Sequence, residues 1–414
     1  MSKFELGATL YACPNSPTGY MAHFEYDCKE EGVKTVSVTA PCACLDPNLD
    51  VQDPNNGVSP WDYKPGMYVS AMAPGAGKWG YVVEMEKDPE TGYYVAEFPV
   101  PSGSYAYSYI LEWDATEEEK AAYTGFPGRE PWRKRTDDPA NPSPAKKNPD
   151  SLHKTGDLNN SILYGKYDPE KQAGSLNMDY VLPAEGPTGK LEYLAYDGVL
   201  PEKQYVGVYT PAGYDPNRAE PYKVVYMSHG GGGNETDWFA MGHLDNIVDN
   251  LGADIMVVTM DNSIHKWNFE VIEDNVINYI IPFIEKNYNV SKEAKDRAFG
   301  GLSMGCMTTF HMFYDHPEAF GYFGGFSGPD CSAIKDTPGI DKPLLYFTVG
   351  TCDIASEHVT PNRPGQLIKY EDYQRHLAEH PMANVVDGGY LWGAHDWHVW
   401  SQSFYTFVKD YAFK

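Results

Sequence analysis

No run of about 18 or more apolar residues occurs anywhere in the chain, which excludes a membrane-spanning helix of ordinary length. Positive charge is also scarce. Only 32 Lys and Arg stand against 58 Asp and Glu, for a formal net charge of −26. A field of that sign repels phosphate backbones and anionic lipid, so nucleic acid and membrane surfaces are excluded as partners, although it selects no substrate. Cysteines number seven, too few and of the wrong parity for a simple disulfide framework. Cys42-Ala43-Cys44 is too tightly spaced for a structural zinc knuckle, and no histidine stands at ligand spacing. The thiols are therefore expected as small buried residues or in occasional disulfides, and no metal or organic cofactor is implied. The opening Met1-Ser2-Lys3-Phe4-Glu5 lacks the basic-then-apolar layout of a secretion signal. That fits a cytoplasmic protein, or a secreted one whose signal has been removed.

What is present points to two domains, since 414 residues exceed what one hydrophobic core usually organises. Aromatic residues reach 14%, with 32 tyrosines, a content that suits β-rich packing as well as a surface that stacks on ring-shaped ligands. In the first 130 or so residues the rhythm is that of strands. Tyr93 to Val100, then Tyr105 to Leu111 beyond a Ser-Gly-Ser break, alternate with period two, and Lys34–Val38 and Met67–Ala71 behave likewise. Short strands between Pro- and Gly-rich turns predict an immunoglobulin-like β-sandwich over residues 1–150. From Arg133 to Lys171 the pattern dissolves into polar, proline-rich sequence, read as an extended linker reaching to about residue 175.

Over residues 176–414 strands and helices alternate. Tyr205–Tyr209, Lys223–Ser228, Asp254–Met260, Arg297–Gly301, Gly321–Phe326 and Leu344–Val349 read as strands. Helices are expected over Trp238–Leu251, over Phe269–Lys286 and from Cys306. Such alternation implies a mostly parallel sheet with helices on both faces.

Gly301-Leu302-Ser303-Met304-Gly305 falls between a predicted strand and a predicted helix, where a nucleophile elbow belongs. The turn is sharp, so its flanking positions must be small. This predicts the α/β-hydrolase fold with Ser303 as nucleophile. A serine hydroxyl needs a general base, and in this fold the acid and then the histidine follow the serine in the chain. Asp353 follows the strand ending at Val349, and His395 lies in Gly393-Ala394-His395-Asp396-Trp397. His398 is the rival base and Asp330 the rival acid, while Asp396 is too near His395 to orient it easily. The amide of Met304 is expected to stabilise the tetrahedral oxyanion. A second amide is expected from His229-Gly230-Gly231-Gly232-Gly233, from Gly231 or Gly232, with His229 bracing the loop. No Lys-Ser/Thr pair follows these glycines, so they do not form a phosphate-binding P-loop.

The segment Val224 to Trp238 resembles carbohydrate esterase family 1, the feruloyl and acetylxylan esterases related to esterase D. So do Tyr209-Thr210-Pro211-Ala212-Gly213-Tyr214, the Ser303 elbow, and Gly393 to Trp400. The blocks stand in the family's order and span about the last 210 residues. The resemblance implies Ser303, Asp353 and His395 as a catalytic triad and an oxyanion amide from the glycine loop. It further implies hydrolysis of ester decorations on plant cell-wall polysaccharide or feruloylated oligosaccharide, such as ferulate on arabinoxylan, with acetylxylan as the alternative. Secretion follows only from that substrate. Trp238, Trp267 and Trp397 are candidate ring contacts to substrate, each equally suited to the core. The N-terminal part resembles the modules of carbohydrate-binding module family 48, whether it binds glycan or only shapes the rim. A carbohydrate-binding protein on an inactive hydrolase scaffold is the reading from another class, and the presence of all three triad residues argues against it. Oligomeric state is not readable.

Overall fold

The computed structural model describes residues 4–39, 43–50, 56–70, 82–125, 130–337 and 339–414. Cys42, and Ala71 at the end of the predicted strand Met67–Ala71, lie outside them. The described cysteines Cys13, Cys28, Cys44, Cys306, Cys331 and Cys352 are free thiols. The chain divides into two compact units, residues 1–146 with 157–179 and residues 147–156 with 180–414.

The first unit is built from antiparallel strands. Gly7–Ala12, Tyr20–Tyr26, Tyr94–Pro99 and Glu86–Lys87 form one sheet in that order. Arg133–Thr136, Tyr109–Glu112, Thr35–Thr39 and Val82–Glu84 form another. The aromatic side chains that alternate along these strands meet between the sheets. Tyr26 of the first lies 4.2 Å from Tyr109 of the second, ring to ring, as expected of face-packed sheets.

The stretch from Arg133 to Lys171 departs from its reading as a linker. Arg133–Thr136 pairs with Tyr109–Glu112, and Ser161–Gly165 pairs with Gly103–Tyr107. Its turn-forming residues are what secure it. Asp138 is buried and accepts hydrogen bonds from the hydroxyls of Tyr107 at 2.7 Å and Tyr109 at 3.1 Å. Asn141 donates to the Ile162 carbonyl at 2.7 Å. Side chains that favour open turns are thus used to satisfy buried polar groups. A short helix, Glu117–Ala122, was also not anticipated. It starts at a capping box of Thr116 and Glu119 and buries no residue, so no apolar period announces it.

The second unit centres on an eight-stranded sheet. Its strands are β1 (Lys190–Asp197), β2 (Lys203–Thr210), β3 (Lys223–Ser228), β4 (Ile255–Met260), β5 (Arg297–Leu302), β6 (Tyr322–Phe326), β7 (Leu344–Cys352) and β8 (Val385–Ala394). They lie in the order β1-β2-β4-β3-β5-β6-β7-β8. Only the β1/β2 and β2/β4 pairs are antiparallel. This is the α/β-hydrolase arrangement expected from the sequence. Every residue of β4 is buried, which is why the strand reads as a continuous apolar run rather than an alternation.

The helices include α1 (Leu244–Leu251), α2 (Phe269–Asn275), α3 (Met304–Asp315), α4 (Tyr370–Glu379) and α5 (Trp397–Thr406). Ile272 of α2 and Phe310 and Phe313 of α3 pack with Val224, Val258 and Phe299 of the sheet. The helix expected over Trp238–Leu251 is instead a turn, Asp237–Ala240, followed by α1. His243 between them has φ +54°, and a Cβ at Gly242 would lie 2.6 Å from the Trp238 carbonyl oxygen. Beyond α2 the chain winds through a π turn, Val276–Ile280, into Ile281–Asn287. Pro282 lies just past it, and the wider turn accommodates a residue with no amide to donate.

Asp138→Ala should leave two buried phenols without their acceptor. We expect a loss of about 2–4 kcal/mol in the unfolding free energy of the N-terminal unit, read by urea denaturation. An unchanged midpoint would mean that strand pairing alone holds the proline-rich segment.

Candidate active site

Three strand ends build the site. At the end of β5 the chain turns through Ser303, whose φ of +52° and ψ of −117° lie outside the regions a non-glycine residue ordinarily occupies. The turn is closed by backbone proximity. A Cβ at Gly301 would lie 2.4 Å from the Gly305 carbonyl oxygen, and one at Gly305 would lie 2.4 Å from that of Ser228. Both glycines are therefore required by the space available. The Ser303 amide donates to the Phe326 carbonyl at 2.9 Å, tying the turn to β6.

His395 follows the last residue of β8. Its Nε2 lies 2.9 Å from Ser303 Oγ, and its Nδ1 lies 2.7 Å from Asp353 Oδ1. Asp353 is fully buried just past the end of β7, and the amide of Ala355 also donates to its Oδ1 at 2.7 Å. Burial alone would raise the Asp353 carboxyl. The His395 ring and the Ala355 amide outweigh it and hold the group below the usual carboxylate range. For His395 burial disfavours the cation, yet the charge and hydrogen bond of Asp353 raise it above the ordinary histidine value.

The rivals stand elsewhere. Asp330 Oδ2 is 3.3 Å from Nε2 of His311, and its Oδ1 caps the turn at Ser332. Asp396 accepts from the amides of His398 and Val399 at the start of α5. His398 itself is buried on that helix, where desolvation lowers its affinity for a proton.

The glycine loop passes beside Ser303. A Cβ on Gly230 would lie 3.3 Å from that of Ser303, and one on Gly231 would lie 3.1 Å from Met304 Sδ. Gly232 has φ +78° and open space around it. Met304 opens α3, with its amide at the helix N-terminus. His229 is completely buried. Nδ1 donates to the Gly230 carbonyl at 2.6 Å, and Nε2 accepts from the Asn262 amide at 3.0 Å. It braces the loop.

A cavity of about 440 Å³ opens over Ser303 and His395. Met304, Met307, Ile354 and Ile368 give it apolar walls, and Arg363 and Lys369 are its cations. The wall residues from Ile354 to Lys369 come from the segment joining β7 to α4. Sequence reasoning missed them, because the segment carries neither periodicity nor motif. Lys369 is buried, its ammonium donating to the Ile354 carbonyl, and desolvation lowers its pKa.

Of the three tryptophans, Trp238 is corrected to the core, while Trp267 and Trp397 are half-buried. None of them lines this cavity. Trp238 is wholly buried, donates from its indole to the Ser228 carbonyl at 2.9 Å, and meets Trp397 edge-on at 5.3 Å. Trp397 lies between Trp238 and Trp400, and Trp267 stands edge-on to His229. Their large apolar surfaces fill gaps between helix, loop and sheet.

A family model described as "Esterase: Putative esterase" matches residues 198–411. The chain belongs to this esterase family. The match takes in the glycine loop, the elbow and the C-terminal histidine block, and it bears out the esterase resemblance drawn from them. A 168-residue segment, 36% of the chain, is 38% identical to a Xylanibacter ruminicola protein named endo-1,4-beta-xylanase/feruloyl esterase, of which it covers 23%. A 179-residue segment, 39% of the chain, is 29% identical to endo-1,4-beta-xylanase Y of Acetivibrio thermocellus, of which it covers 16%. The matches thus span less than a quarter of the length of these curated relatives. The enterobactin esterase FES from Shigella flexneri is similar in fold. Its structure aligns with a TM-score of 0.54 over 98% of this chain and 96% of its own, at 12% identity.

In this esterase, Gly305→Ala would drive a methyl group into the Ser228 carbonyl. Urea denaturation should show a loss of about 2–4 kcal/mol. An unaltered midpoint would show that the elbow tolerates a side chain there.

Proposed function

We propose that the chain is a serine carboxylesterase that removes ester-linked groups from plant cell-wall polysaccharide, with feruloyl groups on arabinoxylan as its first substrate. The observation that carries this is the hydrogen-bonded row Asp353–His395–Ser303 opening into a cavity. In the proposed reaction His395 Nε2 takes the proton of Ser303 Oγ as that oxygen attacks the ester carbonyl. Asp353 holds the Nδ1–H tautomer and stabilises the imidazolium. The amide of Met304 and one from Gly231 or Gly232 receive the oxyanion. His395 then hands its proton to the departing sugar oxygen, leaving an acyl group on Ser303. Water, activated by the same imidazole, releases the acid.

The choice of acyl group is supported by the cavity. Its volume lies within the range of small-molecule sites, and the walls at Met304, Met307, Ile354 and Ile368 suit an aromatic acid better than acetate. The relative named endo-1,4-beta-xylanase/feruloyl esterase supports the same substrate. Such a substrate lies outside the cell, so the protein is proposed to be secreted; no described helix is long and apolar enough to cross a membrane. The N-terminal β unit is proposed as an accessory module to the catalytic unit.

Wild type and Ser303→Ala should be compared on methyl ferulate and on acetylated xylan. Release of ferulate by wild type, with kcat lowered about 10³-fold or more in the variant, is the expected result. Release of acetate alone would move the substrate to acetylxylan, and equal inertness of both proteins would overturn the mechanism.

The pH dependence follows from the sign of the His395 shift. Only the neutral imidazole accepts a proton, and its pKa is raised from 6.5. The acid limb of kcat/KM should therefore be centred above pH 6.5 and fall with a slope of one proton. Asp353→Asn, which removes the raising charge, should shift that limb to lower pH while lowering the rate. Full activity well below pH 5 would rule out His395 as the base.

A further inference from the structure

Outside the cavity, the helices flanking the sheet hold a second set of chemistry-bearing side chains. Glu273 lies on α2, and His311 and Asp315 stand one turn apart on α3, on the same face of that helix. His311 Nδ1 is 4.0 Å from Glu273 Oε1 and 3.9 Å from Asp315 Oδ2. All three atoms fall within 4.8 Å of one another.

Each of the three has its other polar atom engaged. Glu273 Oε2 faces His316 Nε2 at 3.5 Å, and Asp315 Oδ1 accepts from the Lys335 ammonium. His311 Nε2 lies 3.3 Å from Asp330 Oδ2. With Nε2 turned to Asp330, the other ring nitrogen, Nδ1, is left facing Glu273 and Asp315. The ring is held in that plane by Phe269, stacked on it at 4.2 Å and 18°. Glu273 is only 7% exposed, and its Oε1 has no hydrogen-bond partner. Two carboxylate oxygens and an imidazole nitrogen therefore converge on one partly buried point. The negative charge gathered there is one that a bound cation would relieve.

We propose that Glu273, His311 and Asp315 form a divalent cation site, with Asp330 as the group that orients His311. With two separations of 4.0 and 3.9 Å and none above 4.8 Å, an ion shared by the three ligand atoms lies about 2.5 Å or less from each, against about 2.0–2.2 Å for zinc bound by nitrogen and oxygen. Side-chain motion of a few tenths of an ångström closes the difference. One imidazole and two carboxylates suit zinc or another late first-row divalent ion, with water completing its coordination. The carboxylate–histidine–metal relay through Asp330 is the usual support of such a ligand. Bound there, the ion joins α2 to α3, the helix that carries the Ser303 elbow at its start. Its role is structural.

The full chain, stripped with EDTA and desalted, should be given zinc chloride and passed through gel filtration before elemental analysis. Wild type should retain about one zinc per chain and unfold about 5 °C or more higher with zinc than without. Glu273→Gln and His311→Gln should lose both effects, while their circular dichroism before zinc matches wild type. Asp330→Asn keeps all three ligands and should weaken zinc binding about 10–100-fold; it also tests the site if either ligand variant fails to fold. No stoichiometric zinc in wild type overturns the proposal, and so does equal uptake by the ligand variants or an unweakened Asp330→Asn. The zinc readings do not depend on ester turnover, so they stand or fall apart from the proposed esterase activity.

Discussion

The Ser303 turn depends on how closely three backbones approach one another. β3 ends at Ser228 and β5 at Leu302, and between them there is no room for a side chain at Gly301 or Gly305. That contact forces Ser303 to positive φ and lifts its hydroxyl clear of the sheet. The conformation is unfavourable for serine by about 1–3 kcal/mol, and it persists because the parallel pairing of β3 with β5 and of β5 with β6 leaves no alternative path. The same contact brings the loop after β3 beside Ser303, since Gly230 and Gly231 sit against Ser303 and Met304. One packing constraint thus orients the serine and the loop amides together.

The histidine and aspartate are governed by electrostatics more than by sterics. Asp353 has no exposure, and a carboxylate so buried needs a partner to remain charged. His395 supplies it at 2.7 Å, and the strand ends of β7 and β8 bring the two together. Each shifts the other toward its charged form. The pair therefore favours an imidazolium at His395 beside a carboxylate at Asp353.

Much of this was legible in the sequence, and the reasons are local. An elbow needs a small residue on both sides of its serine, so its chemistry is written within five residues. Asp353 and His395 follow strand ends that apolar runs reveal. What stayed hidden depends on tertiary placement. Trp238 carries the same indole whether it meets a sugar ring or a helix, and only the fold shows it hydrogen-bonded to Ser228 in the core. Asp138 and Asn141 carry turn chemistry that read as open chain, yet their side chains hold the segment inside a sheet unit. Glu273 lies 38 residues before His311 in the numbering, and no spacing rule joins them. The cavity wall from Ile354 to Lys369 has neither a period nor a motif.

That wall is one uninterrupted stretch of chain, whereas Ser303, Asp353 and His395 depend on strands spread across the sheet. The two differ in what a change of sequence would disturb. A change of length or composition beyond Ala355 and before α4 would reshape the chamber while leaving Asp353, and the strand register that aligns it with His395 and Ser303, in place. The chamber can thus be remodelled through a single loop while the sheet beneath keeps its geometry.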